Sequence, residues 1–234
     1  MSLRKQQGFT LIEIAIVLVI IGLLLGGILQ GQSLINSARV RNLISQVDGV
    51  KAAFYGFQDR YRALPGDFSQ ADTQVAGVAA GVKGNGNGQI EAVGALGTTI
   101  TESIAVWDHL SHAGFITGAY TYNATESQTT TPTNPWGAYI QLIYDDVYAV
   151  DSGTATPRHN LKTGNQVPVE VIAEVDRKID DGNALRGIMR FSAYANGGTA
   201  PVDANCYDTN TGATKGLWSA TSTGQTNCGA AILF

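Results

Sequence analysis

Residues 14–29 read Ile-Ala-Ile-Val-Leu-Val-Ile-Ile-Gly-Leu-Leu-Leu-Gly-Gly-Ile-Leu and carry no polar side chain. With Phe9 to Ile12 the apolar run reaches the roughly 20 residues a helix needs to cross a bilayer. Nothing after residue 35 comes close. The expected plan is therefore one N-terminal span followed by a water-soluble remainder. The chain has 234 residues, enough for one sizeable domain plus this appendage.

A single charge interrupts the run. Glu13 sits near its start, and a carboxylate at the centre of a span costs about 2.5–3.5 kcal/mol on insertion scales, less near an end. A plain anchor has no reason to keep it. The segment before it is short and polar, Met1 to Gln7, with Arg4 and Lys5. No small-residue cleavage site follows the apolar run, so this is not an ordinary secretory signal peptide. The junction Gly8-Phe9-Thr10-Leu11-Ile12-Glu13 closely resembles the prepilin signature shared by type IV pilins and the pseudopilins of type II secretion.

That resemblance implies a processing route and an assembly. A prepilin peptidase would cut between Gly8 and Phe9 and methylate the new amine of Phe9. Glu13 would act in assembly. Drawn from the bacterial inner membrane by an assembly platform and motor ATPase, the mature chain would enter a homo-oligomeric helical filament, its head outside and its span in lipid beforehand. The function implied is structural, with adhesion as an added role and no enzyme activity. A minor pilin or a secretion pseudopilin is the alternative, and a membrane-tethered domain that never polymerises is the alternative from another class. The formal net charge of −4 gives no reason to expect a specific nucleic-acid partner.

The helical pattern continues past the span. Val40, Leu43, Ile44, Val47, Val50, Phe54, Phe57 and Tyr61 recur in steps of three and four. Leu64-Pro65-Gly66-Asp67 ends it, because proline disfavours helix in the residue before it. The expected organisation is a leader at 1–8, a helix at 9–62 (span 9–35, amphipathic spine 36–62) and a head at 63–234. In the head, 63–97 reads as a Gly-rich excursion. A helix follows, with Thr99 and Glu102 in capping-box spacing and Gly114 as its stop. Ala138–Tyr144 and Val147–Val150 read as a hairpin across Asp145-Asp146. Pro168–Asp180 reads as a helix, Leu185–Tyr194 as a strand, and 199–229 as turns before an apolar end. The fold class is α+β: a long helix packed on a head with an antiparallel sheet and short helices, the pilin arrangement.

The candidate chemistry is sparse. Cys206 and Cys228 are the only cysteines. In an exported head they are expected to form a disulfide, and the resemblance supports a bridged C-terminal loop. His109 and His112 stand three apart on the helix, but no third metal ligand is evident. Asp145-Asp146 and Asp180-Asp181 read as solvated or capping groups rather than acid/base pairs. Lys83 to Glu91 partly follows calcium-loop spacing, with Asn85, Asn87 and Glu91 as the ligands. Lys83 and Gly94 stand where acids would be expected, which favours a plain Gly-Asn turn; no other cofactor is indicated. Asn123-Ala124-Thr125 matches a glycosylation sequon. Four phrases also resemble a group of large pilin-like proteins: Leu64–Asp67, Gly84–Ile90, Trp107–Leu110 with Ala113-Gly114, and Ile179–Gly182.

Overall fold

The computed structural model describes residues 11–92, 100–219 and 225–234. The leader, Gly8, Phe9 and Thr99 lie outside them. Helix α1, Leu11–Tyr61, dominates the secondary structure. The chain falls into two compact units, residues 1–39 and 40–234.

In the first unit α1 shows apolar side chains on every side. Leu18, Leu23 and Leu24 are all more than 60% exposed. A helix apolar all round suits a lipid or a bundle of like helices, because its backbone groups are paired internally. Among the described residues, α1 is the one helix long and apolar enough to cross a membrane.

In the second unit the pattern narrows to a stripe. Val40, Leu43, Val47, Val50, Phe54 and Phe57 are buried, and Ile44 and Tyr61 pack against them partly exposed. Tyr55, off the stripe, stays exposed. Helix α1 ends as the proline predicts. Arg62 takes a left-handed φ of 54° while its amide still bonds to Gln58.

Two longer helices and a sheet close over the stripe. Helix α2, Ala71–Gln74, is a single turn. Helix α3, Glu102–His112, buries Trp107 and Leu110. It stops where Gly114, at φ 79°, lets the Phe115 amide reach back to the Leu110 carbonyl. Strands β1 (Gln141–Asp145) and β2 (Arg158–Lys162) are followed by helix α4 (Val169–Ile179), β3 (Met189–Phe191), the short α5 (Asp203–Cys206) and β4 (Ala230–Leu233). The sheet is antiparallel throughout, in the order β1-β2-β4-β3.

The sheet corrects the sequence reading in three places. Val147–Val150 is not a strand; β1 pairs with β2 instead, Gln141 opposite Lys162. β2 escapes an apolar pattern because only Leu161 in it is apolar. Asn160 and Lys162 are nevertheless buried, since both side chains bond to the Asp145 carboxylate. Asp145, read as a turn residue, is thus the polar anchor of the sheet's edge. The strand expected over Leu185–Tyr194 shortens to Met189–Phe191, and the apolar end of the chain is an interior strand.

Phe57 is fully buried and faces Tyr61, Phe68, His109 and Phe115. Phe57→Ala is expected to cost about 3–5 kcal/mol in a denaturant melt of the detergent-solubilised chain. Tyr55→Ala, at an exposed position, is expected to cost less than about 1 kcal/mol. Equal effects would show that the stripe does not carry the packing.

Candidate functional site

At the N-terminal end, α1 places Glu13 in its first turn. A carboxylate there is favoured by the amide groups at a helix N-terminus. Its neighbours Leu11, Ile12, Ile14 and Ile16 are exposed apolar side chains. The charge therefore stands in a band of side chains made to leave water. Phe9, four residues earlier in the sequence, lies outside the described residues.

At the other end of the chain, Cys206 and Cys228 form a disulfide with Cα atoms 5.7 Å apart. Both cysteines are fully buried. Cys206 ends α5, and Cys228 pairs with Val167 through two backbone hydrogen bonds of 2.9 and 3.2 Å. The bridge therefore fastens a turn-rich segment both to the start of α4 and to the entry of β4. Breaking it with Cys206→Ser is expected to cost roughly 3 kcal/mol by loop-entropy reasoning, read as a lower Tm. An equal Tm for the variant would show that the tail is held by packing alone.

Three of the four recurrent phrases meet in one polar cluster beneath α3. His109 is fully buried, with Nδ1 accepting from the Gly66 amide at 2.9 Å and Nε2 3.1 Å from the Val82 carbonyl. The ring is thus neutral with its proton on Nε2. Burial lowers its pKa from 6.5 to about 4. Both nitrogens are spent on backbone, so His109 is a strut and not a metal ligand. His112 Nδ1 lies 2.8 Å from Asp108 Oδ1, and Asp108 Oδ2 accepts from the Tyr122 amide.

Next to it the loop 84–91 folds around a carboxylate. Asp67 accepts the amides of Gly86, Asn87 and Gly88 at 2.7, 3.0 and 2.8 Å. Gly84 comes so close to the Asp67 backbone that a Cβ would sit 2.3 Å from it. Asn85 Oδ1 accepts from the Asn87 amide and Asn87 Oδ1 from the Gln89 amide, while both side-chain nitrogens lie 3.3 Å from Glu91 Oε2. This is the geometry of a Gly-Asn turn closed on Asp67. Sequence reasoning missed Asp67, whose position directly after Pro65-Gly66 marked it only as a helix stop.

Glu102 also departs from its expected role. The N-cap of α3 is Thr101, with no side-chain cap bond. Glu102 is fully buried, and its two oxygens accept the Asn85 and Glu91 amides at 2.9 and 3.1 Å. It closes the far side of the loop rather than a capping box. Burial drives its pKa from 4.5 to about 7, opposed by the two amides and aided by the charges of Asp67 and Glu91. Burial also raises Asp67.

A carboxyl group whose folded pKa is raised binds extra protons when folded. Its contribution to stability is complete below about pH 4.5 and is lost as pH rises through about 7. His109 runs the other way, favouring the folded state as pH rises from about 4 to 6.5. The Glu102→Gln variant separates the two. Relative to the parent chain, the variant is expected to gain stability as pH rises from 5 to 8, measured by melts at each pH. A pH-independent difference would mean that Glu102 stays ionised in the folded protein.

Among known proteins, the model described as the prokaryotic N-terminal methylation motif matches residues 3–29. This is the signature of type IV pilins and pseudopilins. It spans the Gly8–Phe9 junction, Glu13 and the apolar run. No curated protein matches the chain.

Proposed function

We propose that this chain, which carries the type IV pilin and pseudopilin signature, is a structural subunit of a type IV pilus. The observation that carries the proposal is the methylation motif at residues 3–29, continued by an apolar helix with one carboxylate in its first turn. The leader 1–8 would be removed between Gly8 and Phe9, and the Phe9 amine methylated. Residues 9–35 would be held in inner-membrane lipid and then in the filament core, with 36–62 as the spine and 63–234 as the head facing outward. A prepilin peptidase, an assembly platform and a motor ATPase are the partners this route needs. A pseudopilin of type II secretion is the second reading, because it would carry the same motif.

The mechanism rests on the cost of taking charges out of water. Cleavage would leave a charged amine on Phe9, four residues before Glu13 in an otherwise apolar stretch of sequence. In a water-poor bundle each charge needs an opposite partner. An incoming subunit would be drawn into register when its amine met the Glu13 of a subunit already in the fibre. Pairing within one chain is the competing geometry. The apolar side chains exposed along α1 supply the contact area once register is set.

Two variants test this reading. Glu13→Ala is expected to be cut after Gly8, shown by intact mass, yet to stay in the membrane and form no filaments of its own. Filaments as abundant as those of the parent would sink the pairing mechanism. A bulky residue at position 8 should leave uncut precursor; normal filaments from it would overturn the pilin reading as a whole.

A further inference from the structure

Asp176, Asp180 and Asp181 gather at the C-terminal end of α4, with one carboxylate oxygen of each within 4.8 Å of the others. Asp176 and Asp180 are one helical turn apart, and Gly182, at φ 77°, turns the chain directly after Asp181. Asp176 is completely buried, Asp180 half-buried and Asp181 exposed. Protein donors hold one oxygen of each. Asp176 Oδ2 accepts from the Trp218 indole, Asp180 Oδ2 from the Ile188 and Met189 amides, and Asp181 Oδ1 from the Asn183 amide at 2.8 Å.

The second oxygen of Asp176 is the anomaly. Among the described residues, Oδ1 is buried and meets no hydrogen-bond donor; the Gly182 amide lies near the carboxylate but does not reach Oδ1 in bonding geometry. Leaving such an acceptor without a partner is costly. The surroundings add to the cost, because a helix C-terminus already presents negative carbonyl ends. Lys51 on α1 acts on Asp180 through space, and Lys178 pairs with Glu174. Among the described residues, no lysine or arginine forms an ion pair with any of the three acids.

We infer that Asp176, Asp180 and Asp181 form a site for a hard divalent cation of the calcium type. An all-oxygen, carboxylate-rich set suits calcium and offers nothing to metals that seek thiolate or imidazole. Three acids leave coordination positions for water or backbone carbonyls, as calcium's six to eight ligands require. The site has a structural purpose as well. Trp218 lies between Cys206 and Cys228 in sequence and grips Asp176, so a bound cation would tie the disulfide-closed segment to α4. Affinity in the range of about 10⁻⁴–10⁻³ M, typical of extracellular calcium modules, would suffice outside the cell.

The test uses the full chain in detergent, stripped with a chelator. Calcium is expected to raise its Tm. Terbium in calcium's place is expected to emit on tryptophan excitation, because the Trp218 indole touches a ligand. Asp181→Asn, a change at an exposed position that should fold, is expected to weaken both responses about tenfold or more. Glu91→Gln, in the loop at 84–91, should leave both unchanged. A Tm that ignores calcium up to about 10 mM would overturn the site. So would a response that Asp181→Asn leaves intact, or one that only Glu91→Gln removes. Each outcome is independent of whether the chain builds filaments.

Discussion

The buried stripe of α1 from Val40 to Phe57 is the contact on which the head is built. Without it, the four-stranded sheet would have a bare face and α3 would lose the ring of aromatics around Phe57. The stripe lies on the same helix as the apolar run, so one element serves two solvents. Before Arg39 its side chains are exposed on all sides; from Val40 they are sorted by face. The switch is written in composition alone. Polar residues Arg41, Asn42, Gln46 and Asp48 appear between the apolar ones, and the burial of Val40, Leu43 and Val47 follows.

Where apolar spacing decides the structure, the sequence could be read directly. The α1 stripe, the proline-ended helix, α4 and the stop at Gly114 follow from rules that act over a few residues. The sheet did not yield to such reading, because its edge is organised by polar groups. Lys162 and Asn160 are interior residues only because Asp145 faces them across the β1–β2 pair. Ala230-Ala231 has little strand character of its own, yet it is buried on both faces by its neighbours. Of the site residues, the disulfide could be anticipated from the cysteine count and an exported setting. The roles of Asp67 and Glu102 could not, since they depend on loop amides 19–21 and 11–17 residues away respectively.

The polar cluster also gives the recurrent phrases a physical meaning. Pro65-Gly66-Asp67, the Gly-Asn loop and Trp107-Asp108-His109 form one set of hydrogen bonds. Each glycine is there for backbone reach: Gly84 to pass Asp67, Gly86 and Gly88 to turn amides inward. Such phrases report how a loop is pinned. They say little about what the head touches.

The order of strands has a consequence for the export proposed above. β4 is the last strand in sequence but lies between β2 and β3. On the proposed route, with the N-terminal span held in the membrane and the head passed outward, β1 to β3 would be outside before the strand that joins them arrives. Until residues 230–233 emerge, β2 and β3 each keep a row of unpaired amides and carbonyls, a surface open to wrong partners. Closure of the sheet and of the Cys206–Cys228 bridge would then fall within moments of each other, since Cys228 lies just before β4. Emergence of β4 would then act as the commitment step, and a head stalled short of it could close neither its sheet nor its disulfide.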